Sequence, residues 1–141
     1  MKVIKCTRSV WFDVDDTLVI WDWRSVDPEG KGLVSIKDPN GGCSELVMPH
    51  LRHIELMRQF KARGHMVFVW SQGGHEWAAE VCKVLGIENL VDYVLDKPNW
   101  YVDDLNATAW MKAPIFLDPV DPNKDSRWGI SHVGEEPKGD K

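Results

Sequence analysis

Short runs of consecutive apolar residues alternate along the chain with segments in which apolar residues recur every three or four positions. The runs at 10–12, 66–70 and 90–95 predict buried strands, because a strand covered on both faces is apolar throughout. The helically spaced segments between them predict two helices that end near Gly64 and Gly86, since glycine commonly follows the last helical turn. Shorter runs predict a fourth strand at 100–102 and a fifth at 115–117.

Strands that alternate with helices predict an α/β fold. We expect a three-layer, Rossmann-like parallel sheet with helices on both faces, and a β-hairpin flap after strand one at about residues 18–48. Residues 1–117 would form the folded domain. The segment 118–141 is rich in Pro, Asp, Gly and Lys and is predicted to be a C-terminal tail or strap.

The composition fits one domain that buries its own core, with 141 residues of which 43% are hydrophobic. A net charge of -5 argues against a general partner of nucleic acid or membrane surfaces. Three widely spaced cysteines suggest neither a disulfide framework nor a thiolate metal site. With no signal-like start and no run near the ~20 apolar residues of a membrane span, we expect a cytoplasmic protein.

Two aspartates follow the first strand at a spacing of two residues. In extended chain, Asp13 and Asp15 would face the same side. Crowded carboxylates repel unless a cation joins them or one carries a proton. Either arrangement suits phosphoryl chemistry, in which one carboxylate attacks phosphorus and a second group transfers a proton.

Other polar residues fall at or just before later strand ends. Ser71 and the following Gln72 would offer a hydroxyl and amides to phosphate oxygens near a helix start. Lys97 would balance the carboxylates, and Asp103 with Asp104 would complete a site for Mg²⁺, which prefers carboxylates, waters and phosphate oxygens. Because the carboxyl ends of parallel strands meet at one edge, these residues are predicted to converge.

In this order the motifs resemble those of the haloacid dehalogenase (HAD) superfamily of phosphohydrolases. The first family motif, an apolar strand followed by DxDxT, matches the run before and including Asp13-Val14-Asp15-Asp16-Thr17. The second, an apolar strand that ends in Ser or Thr, matches residues 66–71. The third, a lysine, fits Lys97, and the fourth, a pair of acidic residues after a strand, matches 103–104. The resemblance spans residues 8–117.

The resemblance implies a magnesium-dependent phosphatase that forms an aspartyl-phosphate. Asp13 would be nucleophile and metal ligand, and Asp15 the general acid and base that also offers its backbone carbonyl to Mg²⁺. Ser71 and Lys97 would bind the phosphoryl group. Asp103 would complete the metal site with Asp104 assisting. Aspartate at position 15 is typical of the phosphatase branch of the family.

The short intervals between motifs predict a capless enzyme, whose open site would admit a macromolecular phosphate as well as a small ester. A nucleic-acid end is one such substrate, without a motif that supports it. Two other classes stay open: a phospho-acceptor regulatory domain, disfavoured because no Asp ends the 66–70 strand, and a catalytically idle HAD-like binding module.

Several further side chains are weaker candidates. Trp21 and Trp23 would share a face of the flap and could stack on a base or sugar, although packing is the commoner role of tryptophan. His50 and His53 are predicted to face solvent, and His75 lies close to the expected site. Candidates for phosphate contacts also include Arg24 and Arg52.

Overall fold

The computed structural model describes residues 1–6 and 8–126, and the predicted tail beyond residue 126 lies outside the described residues. Six strands and two α-helices occur in the described ranges. Their bounds are β1 Ser9–Asp13, β2 Val19–Ile20, β3 Val34–Lys37, β4 Ser44–Pro49, α1 Leu51–Ala62, β5 Met66–Ser71, α2 His75–Val84 and β6 Tyr93–Asp96. Short 3-10 turns lie at Trp23–Ser25, Glu88–Leu90, Ala107–Ala109 and Pro122–Lys124.

Three parallel strands form the main sheet, in the order β1-β5-β6. Asp13 pairs with Trp70 across β1 and β5, and Ser71 pairs with Asp96 across β5 and β6. This register brings the last residues of all three strands to one edge. The predicted α/β class and the three strands in the first 96 residues are therefore confirmed, but the prediction that the third strand is buried is wrong, because most of β6 is exposed.

Both helices pack on one face of this sheet. Strand residues that point to that face, such as Phe12, Val67 and Val69, share a single core cluster with Met57 of α1 and Val81 of α2. Two successive right-handed crossovers that progress in the same direction place their helices on the same side. The predicted three-layer arrangement, with helices on both faces, is not confirmed by the described residues.

Aromatic side chains lie on the opposite face of the sheet. Trp11 stacks on Phe68 with ring centroids 4.1 Å apart. Tyr93 also stacks on Phe68, with ring centroids 5.5 Å apart. Trp11 is 39% exposed and Tyr93 42% exposed. This face therefore carries apolar residues that no described helix covers.

The predicted flap is a small antiparallel sheet in the order β2-β4-β3. The hairpin joins β3 to β4, and β2 pairs with the end of β4, where Val19 lies opposite Pro49. The flap predicted at about residues 18–48 thus contains a hairpin, and β4 lies between β2 and β3 in its sheet. Ile36 and Val47 contribute fully buried side chains to the main core.

The strands predicted at 100–102 and 115–117 differ from the structure. Trp100 and Val102 lie in an irregular, exposed segment, so the fourth predicted strand is wrong. At the fifth, a single antiparallel bridge joins Phe116 to Ser126. Residues 115–126, called the strap below, lie against α1, because Arg52 makes two hydrogen bonds of 2.7 and 2.8 Å to the Asp125 carboxylate.

No helix among the described residues is long and apolar enough to cross a membrane.

Candidate phosphate site

The turn after β1 places the two predicted catalytic aspartates. Three successive amides, from Thr17 to Val19, donate to the carbonyl oxygen of Val14 at 2.8–3.2 Å. Asp16 adopts a left-handed backbone with φ 59, which aspartate tolerates better than most residues. The chain thus reverses directly after Asp15 and keeps both Asp13 and Asp15 at the carboxyl end of the sheet.

Lys97 lies beside Asp13. Its ammonium nitrogen is 3.6 Å from Asp13 Oδ1, and the Thr17 hydroxyl donates to the other carboxylate oxygen of Asp13 at 3.3 Å. The Lys97 backbone amide also donates to the carbonyl of Ser71 at 2.9 Å, which fixes the start of this segment against the end of β5. About a third of each charged side chain is exposed, so the pair is open to a ligand from solvent.

Asp15 is held by two tryptophans. The indole nitrogens of Trp21 and Trp77 donate to the same oxygen, Asp15 Oδ1, at 3.0 and 3.1 Å. Trp77 also belongs to the buried face of α2, and helical spacing of apolar residues predicts only that role. Its hydrogen bond to Asp15 could be expected only in general terms, because a buried indole N–H usually finds an acceptor of some kind.

The end of β5 lies next to Asp15. Gly73 lies between them: a Cβ there would be tight against Ser71 Oγ at 3.2 Å and in ordinary contact with Asp15 Oδ2 at 3.7 Å. The Gly73 amide donates to Ser71 Oγ at 2.9 Å. Gly74 begins α2 with φ 100, a conformation that favours glycine. Ser71 is 1% exposed, and its hydroxyl is a hydrogen-bond acceptor within the turn. The next residue, Gln72, is exposed.

The structure does not bring Asp103 and Asp104 to this cluster. Both are exposed, and Asp103 makes local contacts: its carboxylate accepts from the Leu105 amide at 3.0 Å, which holds the pKa of Asp103 below its usual range. Within residues 1–6 and 8–126, no group of three or more His, Cys, Asp or Glu side chains is placed to hold a metal ion. The role of Asp103 as a magnesium ligand stays a prediction.

The donor set therefore fits Mg²⁺ in part. Asp13 and Asp15 lie at the carboxyl end of the sheet, and Mg²⁺ is often held in proteins by only one or two carboxylates with waters and phosphate oxygens. The third carboxylate expected from the sequence is not among them.

The weaker candidates have other partners. The Asp96 carboxylate accepts from the His75 amide at 2.6 Å and lies 3.0 Å from the His75 ring, and these bonds lower the pKa of Asp96. Arg24 stacks over Trp23, and Trp21 and Trp23 do not share a strand face, because Trp23 begins a 3-10 turn. The structure therefore gives Trp21 alone of these tryptophans a contact with a predicted catalytic residue.

Two histidines and one arginine lie on the strap side of α1. His50 and His53 are each 1% exposed, so the prediction that they face solvent is wrong. Arg52 is paired with Asp125 and donates to the carbonyl of Asp118, which excludes it from the phosphate site in this arrangement. A groove lined by Ile54 and Val84 contains none of the predicted site residues.

Comparison of the chain with protein-family models, with curated proteins and with solved structures finds no significant match.

Proposed function

We propose that the protein is a magnesium-dependent phosphatase that hydrolyses a phosphomonoester through a phosphorylated Asp13. The observation that carries the proposal is the position of the Lys97 ammonium, 3.6 Å from Asp13 at the carboxyl end of a parallel sheet. Open α/β sheets bind ligands at this edge, and an ammonium beside a carboxylate can hold a phosphate oxygen within reach of the attacking atom. In this proposal the three-stranded sheet is part of a Rossmann-like fold.

In the first half-reaction, a carboxylate oxygen of Asp13 attacks phosphorus and the bond from phosphorus to the ester oxygen breaks. Asp15 gives a proton to the departing oxygen. Both indoles bind Asp15 Oδ1, so Oδ2, on the side of Gly73, is the oxygen that carries this proton. Lys97 balances negative charge on the phosphoryl group.

In the second half-reaction, water attacks the phosphorus of the aspartyl-phosphate. Asp15 takes the proton from that water, and cleavage of the acyl phosphate bond returns Asp13 as a carboxylate and releases inorganic phosphate. Mg²⁺, held by Asp13 and by Asp15 with substrate oxygens, would supply charge neutralisation in both steps. The ligand proposed at Asp103 requires that this exposed residue approach Asp13 when metal and substrate bind.

The partner in this proposal is a phosphorylated substrate of the cytoplasm. Only the small antiparallel sheet and one 3-10 turn lie between β1 and α1, and only α2 and one 3-10 turn lie between β5 and β6. These short connections support an uncapped site, which would accept a phosphate on a macromolecule, a nucleic-acid end included, as readily as a small ester.

The test is release of inorganic phosphate from an aryl phosphate and from 3′- and 5′-phosphorylated oligonucleotides, with and without Mg²⁺. Asp13→Asn should abolish turnover, and Asp15→Asn should still bind substrate but turn over far more slowly on esters with poor leaving groups. The matched control is Asp16→Asn, since Asn also tolerates the left-handed backbone and can accept from the Trp21 amide. Residual turnover of Asp13→Asn near the wild-type rate would refute the nucleophile.

A second candidate function is an idle binding module. It is favoured by one observation, that the described residues assemble no three-carboxylate metal group around the Asp13 and Lys97 pair. Binding of inorganic phosphate that is lost in Lys97→Met, without hydrolysis of any ester in the panel, would establish this function over the phosphatase.

A further inference from the structure

Two stacked histidines connect α1 to the strap. The His50 and His53 rings lie 3.6 Å apart and nearly parallel, at 6°. The hydrogen bonds assign one tautomer to each ring. His50 Nδ1 accepts from the His53 amide at 3.1 Å, so Nε2 carries the proton and donates to the carbonyl of Leu117 at 2.8 Å.

The second ring has the opposite tautomer. His53 Nε2 accepts from the Leu117 amide at 2.8 Å, so its Nδ1 carries the proton and donates to the carbonyl of Thr17 at 2.6 Å. The two rings therefore bind both backbone groups of Leu117, as a neighbouring strand would. All four ring nitrogens are used, and on each ring the nitrogen that accepts a hydrogen bond requires a neutral imidazole.

Charge would be costly in this position. Burial is the main cause that lowers the pKa of His53 to about 4, and it also lowers the pKa of His50. Arg52, on the same helix, opposes a positive charge on either ring. The strap contributes Asp118, which favours charge on His50, and Asp125, which favours it on His53, but both of these effects are smaller than the effect of burial.

The pair also reaches the proposed phosphate site. The carbonyl that His53 binds belongs to Thr17, whose hydroxyl donates to Asp13 Oδ2 at 3.3 Å. Leu117, Thr17 and Asp13 are thus joined through one histidine ring.

We propose that His50 and His53 form a proton-sensitive clamp that positions Thr17 against Asp13 when the strap is docked, and that releases the strap at Leu117 when a ring takes up a proton. Both histidines are positioning residues in this proposal. Its structural part, the clamp, stands on the contacts alone, whereas its effect on turnover rests on the proposed phosphatase function.

The direction of the pH effect follows from the lowered pKa values. A released His53 would have an ordinary pKa of 6.5, so the open form binds protons more readily than the clamped form. The clamp is fully favoured above pH 6.5 and is weakened as the pH falls towards 4. A difference between 6.5 and about 4 raises the ratio of open to clamped forms on the order of 10²-fold over that interval.

Amide hydrogen exchange of the full chain tests the clamp without an activity assay. After correction for intrinsic rates, the protection of the Leu117 amide should fall on the order of 10²-fold between pH 7 and pH 4, while the Val69 amide in the sheet core keeps its protection. His53→Phe should lose Leu117 protection already at pH 7, whereas the control His65→Phe, which changes a histidine outside the clamp, should not. Unchanged Leu117 protection, or a parallel loss at Val69, would overturn the proposal.

The positioning of Thr17 needs a second readout. The Cβ resonance of Thr17 should shift with the same midpoint as the Leu117 exchange, and in the active protein the acid limb of kcat/KM should follow that midpoint. Asp125→Asn, which weakens strap docking through Arg52, should move all three to higher pH together. A Thr17 resonance that does not respond would overturn the coupling, and absence of hydrolysis would count against the phosphatase alone, because exchange and resonance still decide the clamp.

Discussion

The two indole groups that donate to one carboxylate oxygen of Asp15 should contribute unequally to stability, because their side chains differ in burial. Trp77 and Trp21 both donate to Asp15 Oδ1, but Trp77 is 5% exposed and Trp21 39% exposed. Replacing each in turn by phenylalanine keeps an aromatic ring and removes the N–H donor. Trp77→Phe should therefore cost more stability than Trp21→Phe.

The size of the difference can be worked from burial. For Trp77→Phe, loss of a hydrogen bond to a charged acceptor costs about 1 kcal/mol in a partly exposed setting, and the smaller buried ring costs about 1 kcal/mol more. We expect about 2 kcal/mol in the free energy of unfolding. For the exposed Trp21, solvent replaces the lost bond and less apolar area was buried, so about 0.5 kcal/mol is expected.

Urea unfolding of both variants measures these values, and a double-mutant cycle with Asp15→Ala isolates the hydrogen bond. The coupling energy between Trp77 and Asp15 should be near 1 kcal/mol. In the proposed reaction Trp77→Phe should also lower kcat more than it changes KM, because the proton transfer proposed for Asp15 depends on the orientation of its carboxyl group. Equal destabilisation by both substitutions, or a coupling energy close to zero, would refute the reasoning.

Three further predictions each follow from the surroundings of one side chain. In the proposed reaction Lys97→Met should lower kcat/KM by at least about 10²-fold. Urea unfolding of the same variant should show little change in unfolding free energy, because Lys97 and Asp13 are each about a third exposed and an exposed ion pair stabilises little. Lys61 holds the pKa of the Asp92 carboxyl low, so this pair stabilises the fold above pH 3.8 and less as the pH falls below it; Asp92→Asn should flatten that acid dependence of thermal unfolding. Burial raises the pKa of the Cys82 thiol to about 12, so Cys82 should react with a thiol reagent only on unfolding, in contrast to the exposed Cys6.

The sequence predicts well what depends on local pattern. Val67 and Val69 lie within an apolar run that can only be buried, and helical spacing together with Gly64 and Gly86 defines two helices whose observed ends differ by at most a few residues from those expected. The parallel pairing of β1 with β5 agrees with two such strands joined by a crossover connection that contains α1. These elements share the property that their burial is decided within the segment itself.

Long-range pairing is what local pattern does not contain. Trp100, Tyr101 and Val102 form an apolar run like that of β1, yet they are 90%, 60% and 103% exposed. An apolar run of this length does not by itself specify a partner strand: β1 pairs with β5, whereas 100–102 pairs with no strand among the described residues, and the proline at position 98 restricts the chain before them. The placement of Asp103 could therefore not be derived from its own neighbours, although Lys97, one residue beyond β6, could.

The histidines show a different reason for failure. On a helix, His50 and His53 look like solvent-facing residues, because histidine is seldom fully buried without partners. Their partners are the backbone groups of Leu117, more than sixty residues later in the chain, and a backbone group leaves no trace in residue type. Burial of a polar side chain is decided by the partner and not by the side chain, since an unpaired polar group would cost more than the pair gains. The same reasoning explains Trp77: its apolar ring predicted its burial, and only the position of Asp15 across the site shows where its N–H must point.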